Sequence, residues 1–230
     1  MIRLHITAEG ETEERFVKDC LAWHLAQFDV SADVRLVKTG EDKAANITYR
    51  GGFRRHNAYR TVKEDITRWL REDKDPGCFF TTMFDYYALP DDFPGFREAQ
   101  KLSDKYDQVE AIENALREDI SSSRFIPYIQ LHEFEALIFA DPRALECVYL
   151  EHEKEIRQLV AISDMENPEL IDNGPQTAPS KRIIAHIPEH EDNKPDGAKI
   201  VQNIGIARLK ERCKHFSSWL QQLESLNRAI

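Results

Sequence analysis

Residues 2–16 read IRLHITAEGETEERF, and the change of pattern inside this stretch decides the fold. Residues 2–7 alternate as a short β-strand does. Ala8, Glu9 and Gly10 form a tight turn. From Glu11 the period becomes helical, with Phe16, Val17, Cys20, Leu21, His24 and Leu25 recurring on one side to about residue 27. Working outward, residues 33–38 (DVRLVK) repeat the strand pattern, and 39–52 read as a loop. Residues 59–70 form an amphipathic helix with Val62, Ile66, Trp69 and Leu70 on one face. The run CFFTTMF at 78–84 is almost continuously apolar, as in a strand buried on both faces, and it ends at Asp85. A proline-containing loop at 89–95, one long polar helix over 96–120 and a fourth strand at 125–130 follow, and helix resumes near Glu133.

Strand and helix therefore alternate through the first 140 or so residues. That order predicts an α/β fold with a parallel sheet, flanked by helices through right-handed crossovers. Beyond Asp141 the pattern is helix and loop, with helices expected at 143–162, 198–214 and 215–227. The expected division is an α/β core over 1–141 and a helical part over 142–230 that packs on it.

Composition bounds the function. The chain has 230 residues, of which 41% are hydrophobic and 31% charged, enough for a real core under a well-solvated surface. No apolar run approaches the roughly 18–20 residues of a membrane span, and the N-terminus lacks the layout of a signal peptide. The expectation is a cytoplasmic protein with no membrane partner. Cys20, Cys78, Cys147 and Cys213 are widely scattered, without CxxC spacing, and are expected to be reduced thiols. The formal net charge of −10 argues against a broad basic face coated in nucleic acid. A local basic patch and bound divalent cations can still offset it.

Ligands of open parallel sheets bind at the carboxyl ends of the strands. Strand one delivers Glu9, then Glu11, Glu13 and Glu14; strand three delivers Asp85; strand four delivers His132, Glu133 and Glu135. Two or three carboxylates suffice for Mg²⁺ or Mn²⁺, hard cations that keep several waters and assist phosphodiester hydrolysis. Glu11, Glu13 and Glu14 also have a plain role as first-turn acids that offset the helix dipole. Glu133 and Glu135 would lie about 200° apart on a helix, so one of the two is expected to face the site. Residues 43–63 contain no acid but hold Lys43, Arg50, Arg54, Arg55, Arg60 and Lys63, with Tyr49, Phe53 and Tyr59 among them. Arginines interleaved with aromatics suit phosphate and base contacts. Lys181 and Arg182, in NGPQTAPSKR at 173–182, are further candidates, beside a helix start at Pro179-Ser180.

The segment EGETEERF at 9–16 resembles the opening motif of Toprim-like proteins, the metal-dependent catalytic fold of topoisomerases, primases and the nuclease domains of the OLD (overcoming lysogenization defect) family. The whole chain is similar to an uncharacterised bacterial family with a Toprim-like fold, through this segment and through FDYYALPDDFPG (84–95), LHEFEALIFAD (131–141), TAPSKRI (177–183) and GIARLKERCKHFSSWL (205–220). The resemblance implies Glu9 as general base or metal ligand, with Glu13 as the acid four residues on. It makes Asp85 the first acid of a DxD motif whose second position is Tyr87, with Asp91 and Asp92 further along. It favours Glu135, in the pair Phe134-Glu135, over Glu133. It further implies Mg²⁺ or Mn²⁺, a nucleic-acid substrate, and a partner ATPase of the ABC/SMC type in a bacterial defence or DNA-processing system; the chain itself carries no GxxxxGK[ST] motif. The expected activity is phosphodiester hydrolysis, with Glu9, Glu13, Asp85 and Glu135 on the metal and Arg50, Arg54, Arg55, Arg60 and Lys181 on the phosphate. The alternative is a non-catalytic nucleic-acid or nucleotide sensor, or an adaptor.

Overall fold

The computed structural model describes residues 1–42, 45, 47–53, 58–171, 174, 176–193 and 196–228. It is an α/β fold around a parallel sheet. Strand β1 (Ile2–Ala8) leads into α1 (Glu11–Phe16), a π-helical turn at Val17–Leu21 and α2 (Ala22–Ala26), which together make the first long helix with a bulge inside it. β2 (Val30–Leu36) lies beside β1, in register Ile2 to Val30 and Ala8 to Leu36. The stretch 39–52, expected as loop, contains an antiparallel hairpin of β3 (Lys38–Asp42) and β4 (Ile47–Arg50), two strands too polar to announce themselves. Helix α3 (Ala58–Glu72) crosses to β5 (Cys78–Asp85), which pairs in parallel with β1 on the side away from β2.

The expected single helix over 96–120 is two: α4 (Phe96–Ala99) and α5 (Lys105–Ile120). Asp104 starts the second by accepting the backbone N–H groups of Tyr106 and Asp107, a cap that the polar run concealed. The fourth strand is likewise divided, into β6 (Phe125–Ile126) and β7 (Ile129–Gln130), both parallel to β5. Pro127 lies between them and has no N–H for the ladder. The Thr82 hydroxyl substitutes there, accepting from Tyr128 N–H and donating to Tyr128 C=O, each at 2.9 Å. The sheet order is β2-β1-β5-β6, with β7 continuing the β6 edge.

Each face of the sheet carries a core. Ile2, Leu4, Ile6 and Met83 pack with Phe16, Leu21 and the helical half, while Cys78, Phe80 and Phe84 pack with Val62, Ile66, Ile112 and Leu116. The helical half contains α6 (Glu153–Met165), α7 (Pro179–His186), α8 (Gly197–Ile204), α9 (Ile206–Arg212) and α10 (Lys214–Glu224). The residues expected to continue as helix from 133 and from 143 form 3₁₀ turns instead, at Phe134–Ala140 and Pro142–Cys147. Gly205, at φ +83°, ends α8 and splits the helix expected over 198–214. The last helix is anchored to the sheet: Trp219 is buried, stacks on Tyr128 with ring centres 4.1 Å apart, and donates its indole N–H to Thr81 at 3.0 Å.

Candidate functional site

Because β1 and β5 are adjacent and parallel, their carboxyl ends reach one rim. Ala8 stands opposite Met83, and Glu9 N–H donates to the Met83 carbonyl at 3.0 Å. The Glu9 side chain then turns across to β5, where Oε2 accepts the Asp85 backbone N–H at 3.0 Å. Gly10 begins α1 in an extended conformation, and Glu13 folds back so that Oε2 accepts the Gly10 N–H at 2.8 Å. A Cβ on residue 10 would lie 3.1 Å from that oxygen, so glycine makes room for the buried Glu13 carboxylate.

β7 delivers the third group. After Gln130 the chain runs alongside the end of β5, and the His132 carbonyl accepts Tyr87 N–H at 2.8 Å. His132 adopts φ +62°, uncommon for a residue with a side chain, and this turn aims the next residues back at the rim. Phe134 N–H donates to Asp85 Oδ2 at 3.1 Å. Glu133 is extended (φ −149°, ψ 167°), so helical angles do not govern it. Glu133 and Glu135 are both buried, and the charges of both act on Asp85. The helical spacing expected to separate them is absent, because Glu133 is extended and Phe134–Ala140 is a 3₁₀ turn. Glu133 has a second attachment: Oε1 accepts Ser180 N–H at 2.6 Å and Oε2 accepts the Ser180 hydroxyl at 3.1 Å, which ties the rim to the first turn of α7.

Five acids thus converge: Glu9, Glu13, Asp85, Glu133 and Glu135. Burial, with Glu13 close by, pushes the Glu9 carboxyl up to about 8, against the pull of the Asp85 N–H. Glu13 is raised chiefly by burial. Asp85 is held well above the usual carboxylate range by burial first and then by Glu13, Glu9, Glu135 and Glu133. Its Oδ1 is buried and has no hydrogen-bond partner among the described residues. A buried anionic oxygen without a donor is costly. Among the described residues, Glu9, Glu13, Asp85 and Glu133 form no ion pair that would relieve it.

The remaining candidates lie around this centre. Glu14 pairs with Lys18 at 2.8 Å on the exposed side of the helix, and Glu11 is exposed. Asp91 is largely exposed and faces Arg97, Asp92 accepts Tyr59 N–H at 3.2 Å, and neither is among the charges acting on Asp85. Lys181 follows Ser180 directly, with an exposed side chain. The glycine pair of the basic segment does meet the site: Gly52 N–H donates to the Glu9 carbonyl at 2.9 Å, and Gly51 and Gly52 take φ +81° and +63°. Arg50 points elsewhere, donating to Leu36 C=O at 2.7 Å and to buried Asp65 at 3.4 Å. Arg60 is exposed on α3, whereas Lys43, Arg54 and Arg55 fall outside the described residues. Phe53 and Tyr59 pack inward against Phe93 and are no stacking platform. Ser180 escaped sequence reasoning as a site neighbour; its position at the start of a helix behind Pro179 was the available signal.

The fold and this rim define an α/β protein with a buried acidic centre at the strand ends. The chain belongs to the family described as a domain of unknown function, DUF4276, whose model matches residues 8–224. Neither the comparison with curated proteins nor that with solved structures gives a match. No helix among the described residues is long and apolar enough to cross a membrane.

Proposed function

We propose that the acidic rim binds Mg²⁺ or Mn²⁺ and that the protein hydrolyses phosphodiester bonds in nucleic acid. The observation that carries this reading is the Asp85 carboxylate, with a buried oxygen that has no hydrogen-bond partner among the described residues and lies among four other acids. Removing the repulsion requires protons or a cation, and an all-oxygen donor set suits a hard divalent ion. Asp85 and its neighbours do not close into a trio of ligand atoms within 4.8 Å of one another. A hard divalent ion keeps several waters and needs few direct carboxylates. The bound cation would supply charge neutralisation and an acidified water. Asp85 and Glu13 would hold it, Glu135 would add negative charge beside it, and Glu9 would accept a proton from the attacking water. Lys181 and Arg60, both exposed, supply positive charge for the substrate backbone. The resemblance of EGETEERF to the Toprim opening motif points the same way and supports a role beside a partner ATPase. Cleavage of single- and double-stranded DNA and RNA with Mn²⁺ tests the proposal: Glu9→Gln and Asp85→Asn should each abolish cleavage while remaining folded, and full cleavage by both would refute it.

One observation favours a second reading, a non-catalytic sensor or adaptor. Tyr87, 53% exposed, stands where the resemblance calls for a second acid. Under that reading nucleic acid binds in a salt-dependent way without divalent metal.

A further inference from the structure

A different set of side chains lies at the amino end of β5, on the face that packs against α3. The ligand atoms of His5, Asp73 and Cys78 all lie within 4.8 Å of one another, the one such group among the described residues. We infer that these three residues form a second cation site, of the zinc class, separate from the acidic rim.

The positions are built by the fold. Cys78 opens β5, opposite Arg3 on β1, and His5 lies two residues further along β1 on the same face. Asp73 comes from the turn after α3. That turn is fixed by the Arg124 guanidinium, which donates to the carbonyls of Asp73 at 2.7 Å, Asp75 at 3.2 Å, Cys78 at 3.3 Å and Leu70 at 2.8 Å.

The surroundings orient the donors. His5 Nδ1 lies 2.6 Å from Asp33 Oδ1, which places a proton on Nδ1 and turns Nε2 toward Asp73. A carboxylate behind the imidazole is the usual support of a metal-bound histidine. Asp73 Oδ1 is occupied by Arg3 at 2.9 Å, and Oδ2 faces His5 Nε2 at 3.3 Å. Nε2 of His5 and Oδ2 of Asp73 thus face each other across the gap in which two ligands of one cation would stand. Two ligands about 2.0 Å from a tetrahedral ion stand about 3.3 Å apart, which is the spacing seen. The mixed nitrogen, oxygen and sulfur set selects zinc over magnesium or manganese. A metal-bound cysteine is a thiolate, so binding releases the Cys78 thiol proton to solvent as the sulfur–metal bond forms. Trp69 and Phe80 cover the imidazole, with ring centres 4.4 and 5.1 Å from it, while Asp73 keeps some exposure and marks the entry side. Three protein ligands leave a fourth position for water.

Titration of the full chain, stripped of metal, with Co²⁺ tests this. Wild type should develop the near-ultraviolet thiolate-to-cobalt absorption at one equivalent, and Zn²⁺ should displace it. Cys78→Ser should abolish the band, Asp73→Asn should weaken binding at least tenfold, and Glu9→Gln/Asp85→Asn should leave the band unchanged. No thiolate band in wild type, or the same band in Cys78→Ser, overturns the site. X-ray absorption of the Zn²⁺-loaded wild type reads the ligands without any variant: one sulfur with nitrogen and oxygen is expected, and a shell without sulfur overturns the assignment.

Discussion

The carboxylate of Glu9 accepts the backbone N–H of Asp85 at 3.0 Å, joining the ends of the two central strands. This bond holds one acid of the rim by the main chain of another, so the centre keeps its shape although its charges repel. A neutral isostere at either position can preserve the connection. Asp85→Asn retains an oxygen to accept from Phe134 and gains an amide that can donate to a neighbouring carboxylate. The metal-free Asp85→Asn protein should therefore melt at or above the wild-type temperature while losing cleavage. A clear drop in melting temperature would mean that the Asp85 charge is structurally required.

The raised Glu9 carboxyl makes stability depend on pH in a defined direction. Between its ordinary value of 4.5 and about 8, the folded protein binds a proton at Glu9 that the unfolded chain has released. The stability contributed by that protonation is full below about 4.5 and is lost as pH rises through about 8. Denaturant unfolding of metal-free protein across this window should show the decline, and Glu9→Gln should make it shallower, with Glu13 and Asp85 supplying the remainder. An unchanged slope in Glu9→Gln would refute the raised value.

Glu133 sits in the same acidic group but is hydrogen-bonded to Ser180 through both oxygens. Its removal strands a buried N–H at the start of α7. Glu133→Ala should cost about 1–3 kcal/mol in chemical denaturation, with Glu133→Gln costing less. Equal, negligible losses would show that the link to α7 carries no stability.

Arg50 and Arg60 of the basic segment should separate cleanly. Arg50 partners Asp65, whose side chain is 2% exposed, so Arg50→Ala should lose about 1–2 kcal/mol of stability. Arg60 is exposed on α3, so Arg60→Ala should leave stability unchanged while lowering the salt slope of nucleic-acid binding by about one. Binding titrations at several salt concentrations, beside thermal melts, check both.

The rim was largely legible in the sequence because strand ends can be read from pattern. IRLHITAEG and CFFTTMFD place Glu9 and Asp85 after apolar strands, and a parallel sheet brings such ends together. The conformation around Glu133 was not legible because an extended residue and a 3₁₀ turn obey no 100° step, and nothing local in LHEFEAL distinguishes them from an α-helix. The hairpin at Lys38–Arg50 was hidden by its polarity, and the break before α5 by the unbroken polar run that contains its cap, Asp104. Arg50 read as a phosphate ligand because its partner Asp65 is 15 residues away and buried, a relationship that only the tertiary structure supplies. The His5, Asp73 and Cys78 group is dispersed over two strands and a turn, with no spacing that marks it.

The most direct test of the central claim is calorimetric titration of Mn²⁺ into the metal-free wild type and into Glu9→Gln/Asp85→Asn. The account predicts saturable binding in wild type that disappears in the double variant, with the variant still folded by circular dichroism. Binding of equal strength in both proteins, or none in wild type even with nucleic acid present, would contradict a metal centre at the Glu9 and Asp85 strand ends.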